Sequence, residues 1–196
     1  TDNTLQEKLE KILTEIAGVE TEIAGSGRTD AGTHAKGQVA SFRMDWKGTA
    51  AELLTEINGW LPEDVGALSL EEVEPRFHAR LNAKAKRYVY TIWTGEMPPV
   101  FWRKYSFWCK DELDVEAMKE AASAFVGTHD FKSFCANKRM KKSTVRTIYD
   151  IEIAQKEQRL VLSFTGNGFL YQMVRILTGT LIEVGEGKRS PMEMEE

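Results

Sequence analysis

Leu5, Leu9, Ile12, Leu13 and Ile16 recur at the spacing of one helical face, and Thr4 with Glu7 forms a capping box ahead of them. Gly18 is placed to stop that helix. Residues 19–24 then read as a short strand running into a glycine-rich turn over 25–32, and 38–44 as a second strand. Thr49 and Glu52 open a second helix carrying Ala51, Leu53, Leu54 and Ile57, which Pro62 ends. Residues 65–73 predict a third strand. Within 81–93, Tyr88, Tyr90 and Ile92 alternate strictly, the mark of a strand with one buried face. Asp114 caps a helix with Val115, Met118, Ala122 and Phe125 on one side, ended by Gly127. Residues 145–153 and 160–165 predict two strands around a short connection at 155–158. Residues 169–184 predict a long apolar helix closed by Gly185.

The first half thus reads α-β-β-α-β and the second β-α-β-β-α. One added strand before the first residue and one after the last would make each half β-α-β-β-α-β, the split βαβ or ferredoxin-like unit. The expected class is α+β: two such halves in a mostly antiparallel sheet flanked by helices, a cleft between them, and the first and last strands missing. The expected boundary lies near Glu74-Pro75, dividing residues 1–74 from 75–196.

A chain of 196 residues with 42% hydrophobic and 29% charged positions has an ordinary globular composition. No apolar run approaches the roughly 18 residues of a membrane span. Thr1-Asp2-Asn3-Thr4 has neither the basic start nor the apolar stretch of a signal peptide. Two cysteines, Cys109 and Cys135, make no disulfide framework, so a reducing, cytoplasmic setting is expected. Three scattered histidines argue against a histidine-based metal site.

The net charge of −4 hides a segregation. Residues 75–95 and 131–149 contain no acid but hold eleven of the 26 lysines and arginines, leaving fifteen against thirty acids elsewhere. Both windows are interleaved with aromatics. A basic face on an acidic body attracts phosphates, although a solvated surface explains a single such window equally well.

Gly25-Ser26-Gly27-Arg28-Thr29-Asp30-Ala31-Gly32-Thr33-His34-Ala35 fits neither a dinucleotide fingerprint nor a phosphate-binding P-loop. It sets one acid, Asp30, beside one base, Arg28. A carboxylate near a guanidinium stays ionised and can act as nucleophile or general base. An aspartate that only binds turn amides accounts for the spacing as well.

Gly27-Arg28-Thr29-Asp30-Ala31-Gly32-Thr33-His34-Ala35 with Gly37-Gln38-Val39 resembles the catalytic loop of the bacterial tRNA pseudouridine synthase A family, which usually has Val where Thr33 stands. Phe77-His78-Ala79-Arg80 with Ala83-x-Ala85-Lys86-Arg87-Tyr88-x-Tyr90 resembles its second motif. Gly127-Thr128-His129-Asp130-Phe131 with Phe134 resembles a third, and Phe169-Leu170-Tyr171-Gln172-Met173-Val174-Arg175 a fourth. The motifs occur in the family's order and span essentially the whole chain.

The resemblance implies conversion of uridine to pseudouridine in the anticodon stem-loop of tRNA, at positions 38 to 40, by homodimers that share one tRNA. It implies no redox cofactor and no energy donor. Asp30 matches the catalytic aspartate, as nucleophile or as base. Arg175 matches the arginine expected to pair with it, although an arginine in an apolar helix can also simply snorkel to water. Tyr88 matches the tyrosine expected to stack on the target base, with Tyr90 on the same strand face. Phe169 is a candidate wall of the uracil pocket. Arg28, His34, Arg80, Lys84, Lys86 and Arg87 are candidate RNA contacts near the pocket. Lys138, Arg139, Lys141 and Lys142 are candidates for a more distant part of the tRNA. The apolar run over 98–108 reads as a subunit interface or as a buried connection.

Two rivals differ in class. One is a non-catalytic RNA-binding module. The other is a cysteine hydrolase using Cys135 and His129, around which no known nucleophile pattern occurs.

Overall fold

The computed structural model describes residues 4–194; Thr1-Asp2-Asn3, read above for a leader, lie outside the described residues. The chain divides into two compact units, residues 1–83 and 84–196. The division falls after Ala83 rather than near Glu74-Pro75. The cause is local: Arg43 Nη2 donates to Pro75 O at 3.2 Å and Ala79 N donates to Ser41 Oγ at 3.1 Å, so residues 75–79 are tied to the N-terminal strands.

The N-terminal unit contains α1 (Leu5–Ala17), β1 (Ile23–Gly25), β2 (Ala40–Phe42) and α2 (Ala50–Trp60). Thr4 caps α1 by accepting from Glu7 N at 3.1 Å, while the Glu7 carboxylate turns outward to Lys11. Gly18 ends the helix at φ 70°, a conformation glycine adopts without steric cost. Thr49 and Glu52 form a reciprocal capping box at α2. The Thr49 backbone N–H, then its hydroxyl, hold the Glu52 carboxyl below its ordinary range. β1 and β2 pair antiparallel, and Leu13, Leu53 and Ile57 are buried with Ile16, Ile23, Phe42 and Met44 packed around them.

Residues 65–73 do not form the predicted strand. The Asn58 side chain takes the place of a strand neighbour, accepting from Ala67 N at 2.9 Å and donating to Ala67 O at 3.0 Å. The Ala67 N–H and C=O are thus held by an amide on α2 rather than by a strand neighbour.

The C-terminal unit contains β3 (Lys86–Trp93), β4 (Phe107–Trp108), α3 (Val115–Ser123), β5 (Gly127–Asp130), β6 (Val145–Lys156), β7 (Arg159–Gly166) and α4 (Met173–Gly185). The sheet order is β4-β3-β7-β6-β5, with only the short β3–β4 pair parallel. β7 inserts between β3 and β6, the arrangement that defines a split βαβ. The α+β class expected from the sequence is therefore the observed one.

β7 reads as a central strand: Leu160, Leu162, Ser163 and Phe164 are all buried, so both of its faces are covered. β3 keeps the expected alternation, with Tyr90 packed on the core and Val89 exposed. α3 packs on β6 and α4 on β3, and the two helices pack on each other. Between them lies the larger core, including Ile92, Met118, Phe131, Ile148, Met173, Leu177 and Leu181.

Several element boundaries differ from expectation, among them those of two helices, and two short strands were not anticipated. α3 stops at Ser123, and Gly127 at φ 116° opens β5 instead of ending the helix. α4 begins at Met173, not at residue 169, because Gln172 sits at φ 57° and breaks the helical path. β4 and β5, of two and four residues, are too short to leave a periodic signal.

Candidate active site

In the N-terminal unit, the residues after β1 and before β2 form the glycine-rich loop. Its base is closed by the hairpin pair Gly25–Ala40 and by Ser26 N donating to Val39 O at 2.8 Å. The Gln38 side chain crosses the loop: its Oε1 accepts from Ser26 Oγ at 2.5 Å and its Nε2 donates to Gly27 O at 2.7 Å. At the tip, Thr33 N donates to Asp30 O at 3.1 Å, closing a β-turn whose third residue, Gly32, has φ 78°. A side chain there would be strained, so this turn needs glycine. Asp30 is half-buried on it; Arg28 and His34 are exposed.

The Phe77-His78-Ala79-Arg80 segment docks on the same hairpin. Ala79 is buried, with its N–H on Ser41 Oγ. His78 Nδ1 accepts from Arg80 N at 3.2 Å, and Asn82 Oδ1 accepts from His78 N at 2.8 Å. Arg80 is thereby presented, exposed, from a fixed turn on the unit that also carries Asp30.

The C-terminal unit carries Lys86, Tyr88, Phe169 and Arg175 and brings Tyr88 and Phe169 together. Lys86 and Tyr88 share one face of β3 and are half-buried. The Tyr88 and Phe169 rings meet edge to face, with centroids 5.0 Å apart and planes at 76°. The turn after β7 sets this pair. A Cβ on Gly166 would lie 2.7 Å from Thr147 O and 3.3 Å from Phe169 Cζ, so only glycine fits. Asn167 extends the ladder past the strand end, donating its N–H to Thr147 O and accepting from Thr147 N, both at 3.0 Å. The chain then reaches α4, whose first turn carries Arg175. Arg175 is exposed.

Arg87 departs from its neighbours. Strand alternation turns it to the opposite face from Tyr88, where Nη2 meets Glu152 Oε2 at 2.7 Å. Both partners are more than half exposed, so the pair contributes at most about 1 kcal/mol. Lys84, Lys138, Arg139, Lys141 and Lys142 are exposed, the last four on the loop between β5 and β6.

The sequence did not single out the residues that shape these turns: Gln38, Ser41, His78, Gly166 and Asn167. Gln38 and His78 fall inside the quoted motifs, which is the signal that could have found them.

Cys135 is buried and donates to Asn137 O and Met140 Sδ, while His129 Nε2 faces Val126 O at 3.0 Å. The two do not hydrogen-bond, so a thiol–imidazole couple is not assembled. Cys109, Asp111 and Glu186 bring three ligand atoms within 4.8 Å of one another. Lys188 Nζ already holds Glu186 at 2.7 Å, and burial pushes the Cys109 thiol up, towards its protonated form. No helix among the described residues is long and apolar enough to cross a membrane.

Residues 121–196 match the profile of the tRNA pseudouridine synthase family. The chain is 47% identical over 187 residues to tRNA pseudouridine synthase A 2 of Bacillus anthracis, covering 95% of this chain and 76% of the relative. It is 43% identical over 193 residues to tRNA pseudouridine synthase A of Bacillus sp. (strain KSM-64), covering 98% and 79% respectively. It is also 43% identical over 194 residues to the protein of that name from Halalkalibacterium halodurans, covering 98% and 74%. With identity of this order along nearly its whole length, the chain belongs to the tRNA pseudouridine synthase A family.

Proposed function

We propose that this chain isomerises uridine to pseudouridine in tRNA, at positions 38 to 40 of the anticodon stem-loop. The uracil N1–C1′ bond breaks and a C5–C1′ bond forms. The C5 proton leaves to solvent and N1 gains one, so nothing is oxidised and no group leaves the RNA. No redox or energy cofactor enters this balance.

The observation that carries the proposal is the half-buried Tyr88 ring set edge-on to Phe169, in the turn region that leads into Arg175. It offers an aromatic surface to a flipped base, whose unstacking costs a few kcal/mol that such contacts offset. Asp30 is the catalytic carboxylate, as nucleophile or as base. Arg175 is the arginine of the same reaction. Arg28, His34, Arg80, Lys84 and Lys86 contact RNA phosphates; the exposure of Arg28, His34, Arg80 and Lys84 supports that role, and half-buried Lys86 shares the strand face of Tyr88. The protein acts in the cytoplasm as a homodimer. Phe101, Trp102, Tyr105 and Phe107, at 92%, 44%, 55% and 47% exposure, favour the subunit-interface reading of residues 98–108 over a buried connection.

The test is incubation with tRNA carrying uridine tritiated at C5. Tritium appears in water, and pseudouridine maps to positions 38–40. Binding of tRNA with no release of tritium would leave only the non-catalytic RNA-binding reading.

A further inference from the structure

The loop joining β5 to β6 carries Lys132, Lys138, Arg139, Lys141 and Lys142, yet its geometry is that of a fastened structure. Phe131 and Cys135 are buried, and Phe134 and Met140 pack on the core. Phe131 N donates to Thr144 O at 3.2 Å, and Ala136 N donates to Tyr171 O at 3.1 Å. Asp130 closes the base: its Oδ1 accepts from Lys132 N at 3.1 Å and from the Thr144 hydroxyl. The carboxylate that opens the loop is thus bonded to both its ends.

Above this clasp lies a concavity of about 330 Å³ whose lining includes Lys132, Lys138, Lys141 and Lys142 together with the Asp130 carboxylate. None of those four lysines forms an ion pair among the described residues. Four ammonium groups against one carboxylate, Asp130, leave the hollow net positive, and an anion relieves the remaining repulsion. The lining contains no aromatic side chain, so it provides no platform for stacking a base. Asn137 and Ser143 add neutral hydrogen-bonding groups beside the lysines.

We infer that this hollow is a cradle for backbone phosphodiesters of the RNA substrate, with Asp130 as the positioning residue that holds it shut. The inference rests on the proposed action on tRNA. The site reads charge and spacing, not base identity. Through Ala136 and Tyr171 it is joined to the turn that carries Phe169 and leads to Arg175, within one unit.

The test compares the full chain with the triple variant Lys138→Gln/Lys141→Gln/Lys142→Gln, and with Asp130→Asn and Asp130→Ala. Filter binding of tRNA is measured from 50 to 200 mM KCl, a range over which neutralised phosphates dominate the salt dependence. For the triple variant, the slope of log affinity against log salt becomes shallower by about one for each phosphate no longer neutralised. KM for tRNA rises, and the defect is read in KM more than in kcat. Asp130→Asn keeps the accepting oxygen and stays near the starting protein; Asp130→Ala follows the triple variant. Reduced stability alone would lower activity without changing the salt slope. If Asp130→Ala does not fold, the lysine variant and Asp130→Asn still decide. An unchanged slope and KM in the triple variant overturns the cradle. Inorganic phosphate that saturates the hollow at matched ionic strength without displacing tRNA overturns the cradle; mutual competition between phosphate and tRNA supports it. Tritium release by the unaltered protein is measured in parallel. If that fails, the proposed function fails; if it succeeds while the variants bind normally, only the cradle fails.

Discussion

The two units solve opposite problems. Among the described residues, the C-terminal unit buries seventeen core residues between a five-stranded sheet and two helices, and uses that mass to hold Tyr88 and Phe169 in one geometry. The N-terminal unit buries only Leu13, Leu53 and Ile57 in its hydrophobic cluster, and holds the Asp30 loop by hydrogen bonds across a three-residue hairpin. Packing aims side chains on strands; a side-chain amide and a glycine turn aim a residue on a loop. The first is robust to surface change, while the second depends on a few named polar atoms.

Substitutions that strike each kind of support separate them. Phe164 is fully buried on the central strand and stands opposite Tyr88. Phe164→Ala is expected to cost about 3–5 kcal/mol, read by thermal or denaturant unfolding. Gly166→Ala drives a Cβ to 2.7 Å from Thr147 O and presses on Phe169. Its expected cost is about 1–3 kcal/mol, with a fall in kcat as the Tyr88–Phe169 pair shifts. A variant as stable and active as the original would show that the turn is more pliant than its geometry implies.

Smaller effects test the N-terminal unit. Thr49→Ala removes the cap of α2 and is expected to cost about 1 kcal/mol. The same site has a signed pH dependence. Because the Glu52 carboxyl is held below its ordinary range, its contribution is present at neutral pH and is lost as pH falls through and below that range. Acid titration of stability therefore weakens in Thr49→Ala. An acid profile identical in the two proteins would remove the Thr49 hydroxyl as a cause and leave only the backbone N–H, which alanine keeps.

The alternation of Tyr88, Tyr90 and Ile92 and the caps at Thr4, Thr49 and Asp114 were legible because they are local signals. Residues 65–73 were misread because Asn58, on α2, satisfies the Ala67 backbone, and no local pattern announces a distant side chain. The helix start at Met173 was hidden by an apolar run that continues through the left-handed Gln172. Of the candidate site, residue identities came from motif resemblance, whereas their supports did not. Arg87 shows the limit of proximity in sequence: one position from Tyr88, it faces the other way and pairs with Glu152.

We propose that one carboxylate, Asp30, performs the isomerisation. Tritium release from C5-labelled tRNA by Asp30→Asn, with filter binding of the same tRNA as a check on folding and recognition, tests it most directly. The expected result is a loss of at least about 10²-fold in release with the tRNA complex still formed. Release at the rate of the unaltered protein would contradict the account.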